Sequence, residues 1–506
     1  MRILLIAFIL LLGAAPATRA VEAVALERGT AITDPAALRE LDGGRFRLDR
    51  MLLPERSADA PLSNDELFRL PSMTPVRQAI DGEFERYVVG HKSSLPRETI
   101  GVGEGFDFQL FDRTLLHSAQ TRFVLAGIVN RMDRAYVSPA DCGEIRLIYR
   151  LTRLNAPDPG DNASSQRLPM TLNLVLKAKA DRSRPEIACS GIANRWLAPG
   201  GLRNEKLQTK DSPLDLLGSE NIDRIETNLQ IAHAPKSAVR DFRTDYLMKV
   251  FRYDRMARVF AEAPMENQID RARILADDSL KREFRAWMLD PVNLVQFDRG
   301  TVLIPEKFLA KAAIAPTPAG FDPSDLQPEF GLVHGEGAAF SEADIVVALR
   351  KAAANGVRLQ NIRSPGGFER RLNDVTCAGC HQTRGIGGFH FPGVDWMAAR
   401  PSNTAVVPAS PHFFGDQIRR RDILTALRDG KQPDYSKGFA GRPQMRGSTE
   451  LAGTGYSDGW GAHCYAPDKP SAGNDVSFRN WTCASGLTCQ VSGKSSRFGM
   501  CFVKNR

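Results

Sequence analysis

Apolar and polar positions alternate with a period of two in a block of the chain that begins at Phe123. Phe123 to Val129 opens it. Ile145, Leu147, Tyr149 and Leu151 then alternate with Glu144, Arg146 and Arg150, and Leu172, Leu174 and Leu176 follow. This spacing predicts half-buried antiparallel strands with the charged residues facing water. Residues 155 to 167, rich in Pro, Asp, Asn and Ser, read as a surface loop between two of them. A further strand is expected from Tyr246 to Tyr253.

Helical spacing appears elsewhere. Thr74 to Tyr87 is one such stretch, and Leu280 to Leu289 is another, stopped by Pro291. Ser341 with Asp344 makes a capping-box pattern, and Phe340 is placed to staple onto Ile345. Ile345, Leu349 and Ala352 give that helix its buried stripe, and Asn355 with Gly356 ends it. A shorter helical pattern covers Phe368 to Leu372. The fold class that follows is α+β: an antiparallel-sheet-containing N-terminal region, a mainly helical region, and a small C-terminal module.

The first residues are of a different kind. Met1 and Arg2 give a positive start, Ile3 to Leu12 an apolar run, and Pro16 to Ala20 a small-residue exit, which together predict an export signal cleaved near Ala20. The alternative is an uncleaved anchor, for which the run is short of the roughly 20 apolar residues that span a bilayer. The expectation is therefore a bacterial periplasmic or secreted protein with no transmembrane segment in the mature chain. The formal charge of +8 is spread along the chain and reads as a solvated exterior. Without a basic run interleaved with aromatics, nucleic acid is not an expected partner.

The 506 residues suggest several domains. After the signal at 1–20 we expect an α+β domain of unknown role at 21–330, a helical domain at 331–450, and a disulfide-rich module at 455–506. Six cysteines, Cys142, Cys189, Cys464, Cys483, Cys489 and Cys501, form an even set suited to disulfides in an oxidising compartment; buried thiols are the alternative. If the Ile145 and Leu176 strands form a long hairpin, Cys142 lies beside Cys189, which predicts that pair. The last four cysteines allow three connectivities.

The remaining pair carries the most specific chemistry. Cys377, Ala378, Gly379, Cys380 and His381 give C-x-x-C-H, the spacing at which two thiols reach the two vinyl groups of one porphyrin and the next imidazole ligates its iron. Random placement of 8 Cys and 8 His would give this pattern about 0.002 times in such a chain. A redox-active thiol pair and a zinc site recruiting His381 or His390 are the competing readings. For the second axial position the candidates are His390, set among Gly387, Gly388, Phe389 and Phe391, then Met397 and Met445, or no residue at all.

Residues 377 to 381 resemble the attachment motif of c-type cytochromes. That resemblance implies one covalently attached haem c, with Cys377 and Cys380 as thioether residues and His381 as proximal ligand, and makes the helical domain at 331–450 a cytochrome c-like haem domain. Thr376 to His381 followed by Phe389 and His390 also resembles a haem-motif segment of large secreted bacterial proteins of an uncharacterised family. Those proteins share stretches like Ala126 to Asp133 and Cys142 to Ile148, and the similarity favours His390 as second ligand. The chain departs from small monohaem cytochromes after Met445, where Gly- and Ser-rich sequence stands in place of a closing helix.

The function expected is an exported monohaem electron-transfer protein with an unidentified redox partner. Two alternatives stand beside it: a haem enzyme with an open distal site acting on peroxide or a small substrate, and a non-haem binding protein with zinc at Cys377 and Cys380. The single motif argues against a self-contained dihaem peroxidase.

Overall fold

The computed structural model describes residues 30–57, 59–154, 167–180, 187–198, 207, 209–234, 244–317, 337–379, 416–438, 463–466, 475–478, 481–483, 486–491 and 498–503. Residues 1–29, where the export signal is expected, most of the expected surface loop at 155–167, and residues 318–336 lie outside them.

The fold is α+β, and its centre is an antiparallel meander. Strands β4 (Thr121–Arg131), β5 (Glu144–Arg153), β6 (Arg167–Lys177), β7 (Ile222–His233), β8 (Thr244–Asp254) and β9 (Val259–Ala263) pair with their sequence neighbours in turn. A short β1 (Ala31–Ile32) adds to β4, and β10 (Ala312–Thr317) adds to β8. Strand β3 (Phe108–Leu110) pairs with the end of β7 and, in parallel, with β2 (Ile100–Val102). The hairpin of β5 and β6 forms as the alternation predicts, with Glu144 opposite Lys177 and Leu147 opposite Leu174.

One face of this sheet is apolar. Phe123, Leu125, Leu147, Tyr149, Leu172, Leu174, Ile225 and Phe251 point into a single core. Four N-terminal helices close over it: α1 (Pro35–Gly43), α2 (Leu48–Leu52), α3 (Asn64–Arg69) and α4 (Thr74–Ser94). Helix α5 (Cys189–Leu197) adds Ile192, Ala193 and the fully buried Trp196. It starts at the disulfide Cys142–Cys189, whose Cα atoms are 5.2 Å apart. The predicted pairing is thus present, held by Cys142 N–H donating to the Ala178 carbonyl at 2.7 Å beside the hairpin.

The opposite face corrects the expectation of half-buried strands. Strand β5 is buried from Glu144 to Thr152 on both sides. Alternation was the right signal for strands, but the charged positions face other charges rather than water.

A second helical layer carries the motif. Helices α6 (Arg271–Ala276), α7 (Asp278–Met288), α8 (Pro291–Arg299), α9 (Glu342–Ala354) and α10 (Pro365–Val375) share one apolar cluster running from Ile269 to Val375. Pro291 occupies the first turn of α8, with Asp290 as its N-cap, so it opens a helix as well as closing one. The Ser341 capping box on α9 is present, Phe340 and Ile345 are buried in the same cluster, and Gly356 follows the C-cap with φ of 75°. Asp298 of α8 ties the layer together, accepting the N–H groups of Gln360, Asn361 and Ile362 at 2.7 to 2.8 Å. Helix α11 (Gln417–Arg428) packs on α5 and on the turn after β4.

The C-terminal module is a three-stranded antiparallel sheet of β11 (His463–Tyr465), β12 (Leu487–Val491) and β13 (Phe498–Val503). Its disulfides are Cys464–Cys489 and Cys483–Cys501. These replace the core that so few aliphatic residues fail to build. The module docks on the start of α10. Ser364, the N-cap, donates to Asp475 at 2.6 Å, the backbone N–H of Arg363 donates to Ser477, and the Arg370 guanidinium lies 5.1 Å from the Trp481 ring centre. No described helix is long and apolar enough to cross a membrane.

Candidate functional site

Of the five motif residues, Cys377, Ala378 and Gly379 are described; Cys380 and His381 lie outside the described residues, as do His390, Met397 and Met445. Helix α10 ends at Val375, where Thr376 turns to an extended conformation. Its hydroxyl then accepts the Gly379 N–H at 3.0 Å and starts a new helical turn over the motif. Gln268 pins that turn by accepting the Ala378 N–H at 2.9 Å. Gly379 is required by space, because a Cβ there would collide with the Asn373 carbonyl oxygen. Cys377 belongs to none of the three disulfides. Its neighbours are Met248, Val250, Ala263, Met265, Ala313 and Ala315, a small apolar patch between β8 and the helical layer.

Beyond this patch a cavity of about 260 Å³ opens, with Cys377 and Val375 in its wall. Most of the rest is charged, and it is built from the sheet face that the sequence assigned to solvent. Glu144 and Arg146 stand at i and i+2 on β5; Arg224 and Glu226 stand in the reverse order on β7. Val175 of β6 lies between them in register, opposite both Arg146 and Arg224. The four side chains bridge over that valine: Glu144 meets Arg224 at 2.7 Å and Arg146 at 2.7 Å, while Glu226 meets Arg146 at 3.0 Å and Arg224 at 2.8 Å. Arg134 joins at 2.6 Å from Glu144 and also pairs with Glu266.

A second group adjoins. Asp133 takes Arg131 at 2.8 Å and Arg419 at 2.7 Å, and Asp416 takes Arg419 and Arg420. Burial alone would push these carboxyls up, yet the surrounding guanidiniums win. Arg224, Arg146 and Arg134 hold Glu144 well below the carboxylate range, and Arg131 with Arg419 does the same for Asp133. Both acids are therefore ionised at neutral pH, and the lattice is a fixed array of charge.

Lys437 differs from the other cations in the cavity wall. It is buried, and among the described residues its ammonium has no ion-pair partner, although its backbone is held firmly. Its N–H donates to the Arg299 carbonyl at 2.8 Å, and the Arg371 guanidinium donates to its carbonyl at 3.0 Å. Burial, reinforced by the nearby Arg419 charge, pulls the Lys437 amine down to about 7.

The sequence motif thus names one wall of this cavity, and its charged wall was not foreseen. The signal was present as E-x-R on one strand and R-x-E two strands later, but it reads as solvated until the register is known. Nothing in the sequence around Lys437 marks it. For a zinc centre, the one cluster of possible metal ligands among the described residues is Cys464, Cys483 and Cys501, whose sulfurs are already in disulfides. Neither a protein-family model, nor a curated protein, nor a solved structure matches this chain.

Proposed function

We propose that this is an exported single-haem c-type protein that transfers electrons, with haem bound covalently through Cys377 and Cys380 and ligated by His381. The observation that carries the reading is the C-x-x-C-H spacing. Three features of the described residues fit it: Cys377 is outside the disulfides, it faces Met248, Val250 and Met265, and its turn is pinned by Gln268 and Thr376. Attachment requires each thiol to add across a vinyl group, forming a C–S bond with no leaving group. The pinned turn holds the first thiol in place for that. When bound, haem supplies a one-electron iron couple; the apolar patch keeps water from one side of the Cys377 sulfur. Disulfides elsewhere in the chain accord with an oxidising compartment.

The polar cavity beside Cys377 favours one second reading, a haem enzyme that admits a small polar substrate. One set of measurements separates the two. The chain is matured in a periplasm that attaches haem, and its absorption spectrum is followed by a denaturing gel stained for covalent haem. A six-coordinate low-spin spectrum insensitive to peroxide supports electron transfer, and a high-spin spectrum that shifts with peroxide supports catalysis. Absence of a Soret band together with stoichiometric zinc overturns both. His390→Ala should convert low-spin haem to high-spin; an unchanged spectrum removes His390 as ligand.

A further inference from the structure

One cation in the wall of the charged cavity makes no ion pair among the described residues. Its lining includes six cations, Arg134, Arg146, Lys177, Arg224, Arg252 and Lys437, against the five carboxylates of Asp141, Glu144, Asp223, Glu226 and Glu266. Each of those carboxylates already has a cationic partner in the wall: Asp141 and Asp223 pair with Lys177, Glu144 and Glu226 with the arginine lattice, and Glu266 with Arg134. Arg252 reaches outside the cavity to Glu306. With Arg252 paired to Glu306 the remaining lining charges number five of each sign, and Lys437, 4 % exposed, is the one lining cation that makes no ion pair among the described residues. A buried ammonium without an ion-pair partner is costly and gives up its proton readily, so a bound anion that holds the proton in place would be favoured there.

We propose that this cavity binds a small carboxylate, with the Lys437 ammonium as counter-charge and the arginine lattice as a rigid, pre-ordered rim. The lattice suits that role, because its guanidiniums are fixed by one another's partners and lose little freedom when an anion arrives. A volume of about 260 Å³ limits the occupant to a small acid or to the carboxylate arm of something larger, since pockets for drug-sized ligands start at roughly 300 Å³. An apolar ligand would leave the Lys437 amine without a partner, and a cation would find every lining carboxylate already paired. The carboxylate can come from two sources, a free small acid or the propionates of an attached haem. The inference itself does not rest on the haem reading.

The test is calorimetric titration of succinate into the full-length matured chain and into the Cys377→Ser/Cys380→Ser chain, which carries no attached haem, with neutral succinamide as control. Succinate should bind where succinamide does not, and Lys437→Met should weaken it at least tenfold. Binding by both chains assigns the site to a free acid; binding by the haem-less chain alone assigns it to the propionates. Absence of succinate binding in both chains, or an unchanged affinity in Lys437→Met, overturns the proposal. Should that variant fold poorly by near-UV dichroism, the wild-type chain decides: succinate must protect Lys437 from amine acylation as read by peptide mass spectrometry, and equal labelling with and without it is the overturning result.

Discussion

Glu144→Gln is the sharpest probe of the charged sheet face. The carboxylate touches three guanidiniums, Arg134 at 2.6 Å, Arg146 at 2.7 Å and Arg224 at 2.7 Å, and is buried with them. Glutamine keeps the shape but removes the charge and points an NH₂ donor at a donor. Three like charges then share Glu226, Asp223 and Glu266. Each close pair at an effective dielectric near 20 is worth about 4 kcal/mol before desolvation is counted. Breaking one member of a buried ionic set costs ~3–5 kcal/mol net. With a urea slope of about 3 kcal/mol/M, the unfolding midpoint should fall by roughly 1 to 1.7 M, read from Trp fluorescence. The fully buried Trp196 reports on this sheet. Because the Glu144 pKa is depressed in the folded state, the stabilisation it gives is complete above its ordinary value of 4.5 and is lost as pH falls through the folded value. The gap between wild type and variant should therefore be flat from pH 5 to 8 and close only in acid. A midpoint shift under about 0.3 M at pH 7, or a gap that widens in acid, refutes the reasoning. Adding Arg146→Met should recover part of the loss, since a charge pair removed together costs less than one partner removed alone.

Lys437→Met should stabilise the unliganded chain. The lowered amine penalises the folded state fully below pH 7, and the penalty fades as the unfolded chain loses its proton toward pH 10.5; the melting-temperature gain should shrink over that window, and a gain independent of pH counts against it. The groups facing that amine are Arg419 and Asp416 at the start of α11, and Arg131 and Asp133 at the end of β4. Replacing Cys142 and Cys189 together by serine frees a separation of 47 residues and should cost about 4 kcal/mol on the chain-entropy model; a loss under about 1 kcal/mol by denaturant titration contradicts it. Asp298→Ala removes the acceptor of three backbone N–H groups and should speed proteolysis near residues 357–363, whereas an unchanged cleavage pattern would show the tether to be dispensable. Gly379→Ala forces the motif turn away from Asn373 and should cut haem staining on a denaturing gel several-fold at equal protein; full staining argues that the turn tolerates the shift.

What the sequence made legible was local. Period-two alternation located β4, β5, β6 and β8, and the Ser341 box located α9, because those signals lie within a few residues of one another. Cys142 and Cys189 were joined by a hairpin argument that needed only adjacent strands. The charged face was illegible for the complementary reason: Glu144 and Arg224 are 80 positions apart, and only the pairing of β5 and β7 across β6 makes them neighbours. Lys437 is further still from the strands it faces. Its burial follows from Arg371 and Arg299 holding its backbone, which no periodicity records. Cys377 was recognised by spacing alone, and its apolar neighbours come from β8, β10 and the 263–265 segment.

The charged face also bears on how the chain can be assembled. A meander whose strands pair with their sequence neighbours can form as each strand is completed, long before residues 416 to 437 exist. In most sandwiched sheets the face awaiting its cover is apolar and prone to stick to other molecules. Here the waiting face presents Glu144, Arg146, Arg224 and Glu226. Water solvates that lattice well until the later layer arrives, so the partly built sheet has one face that stays dispersed without help.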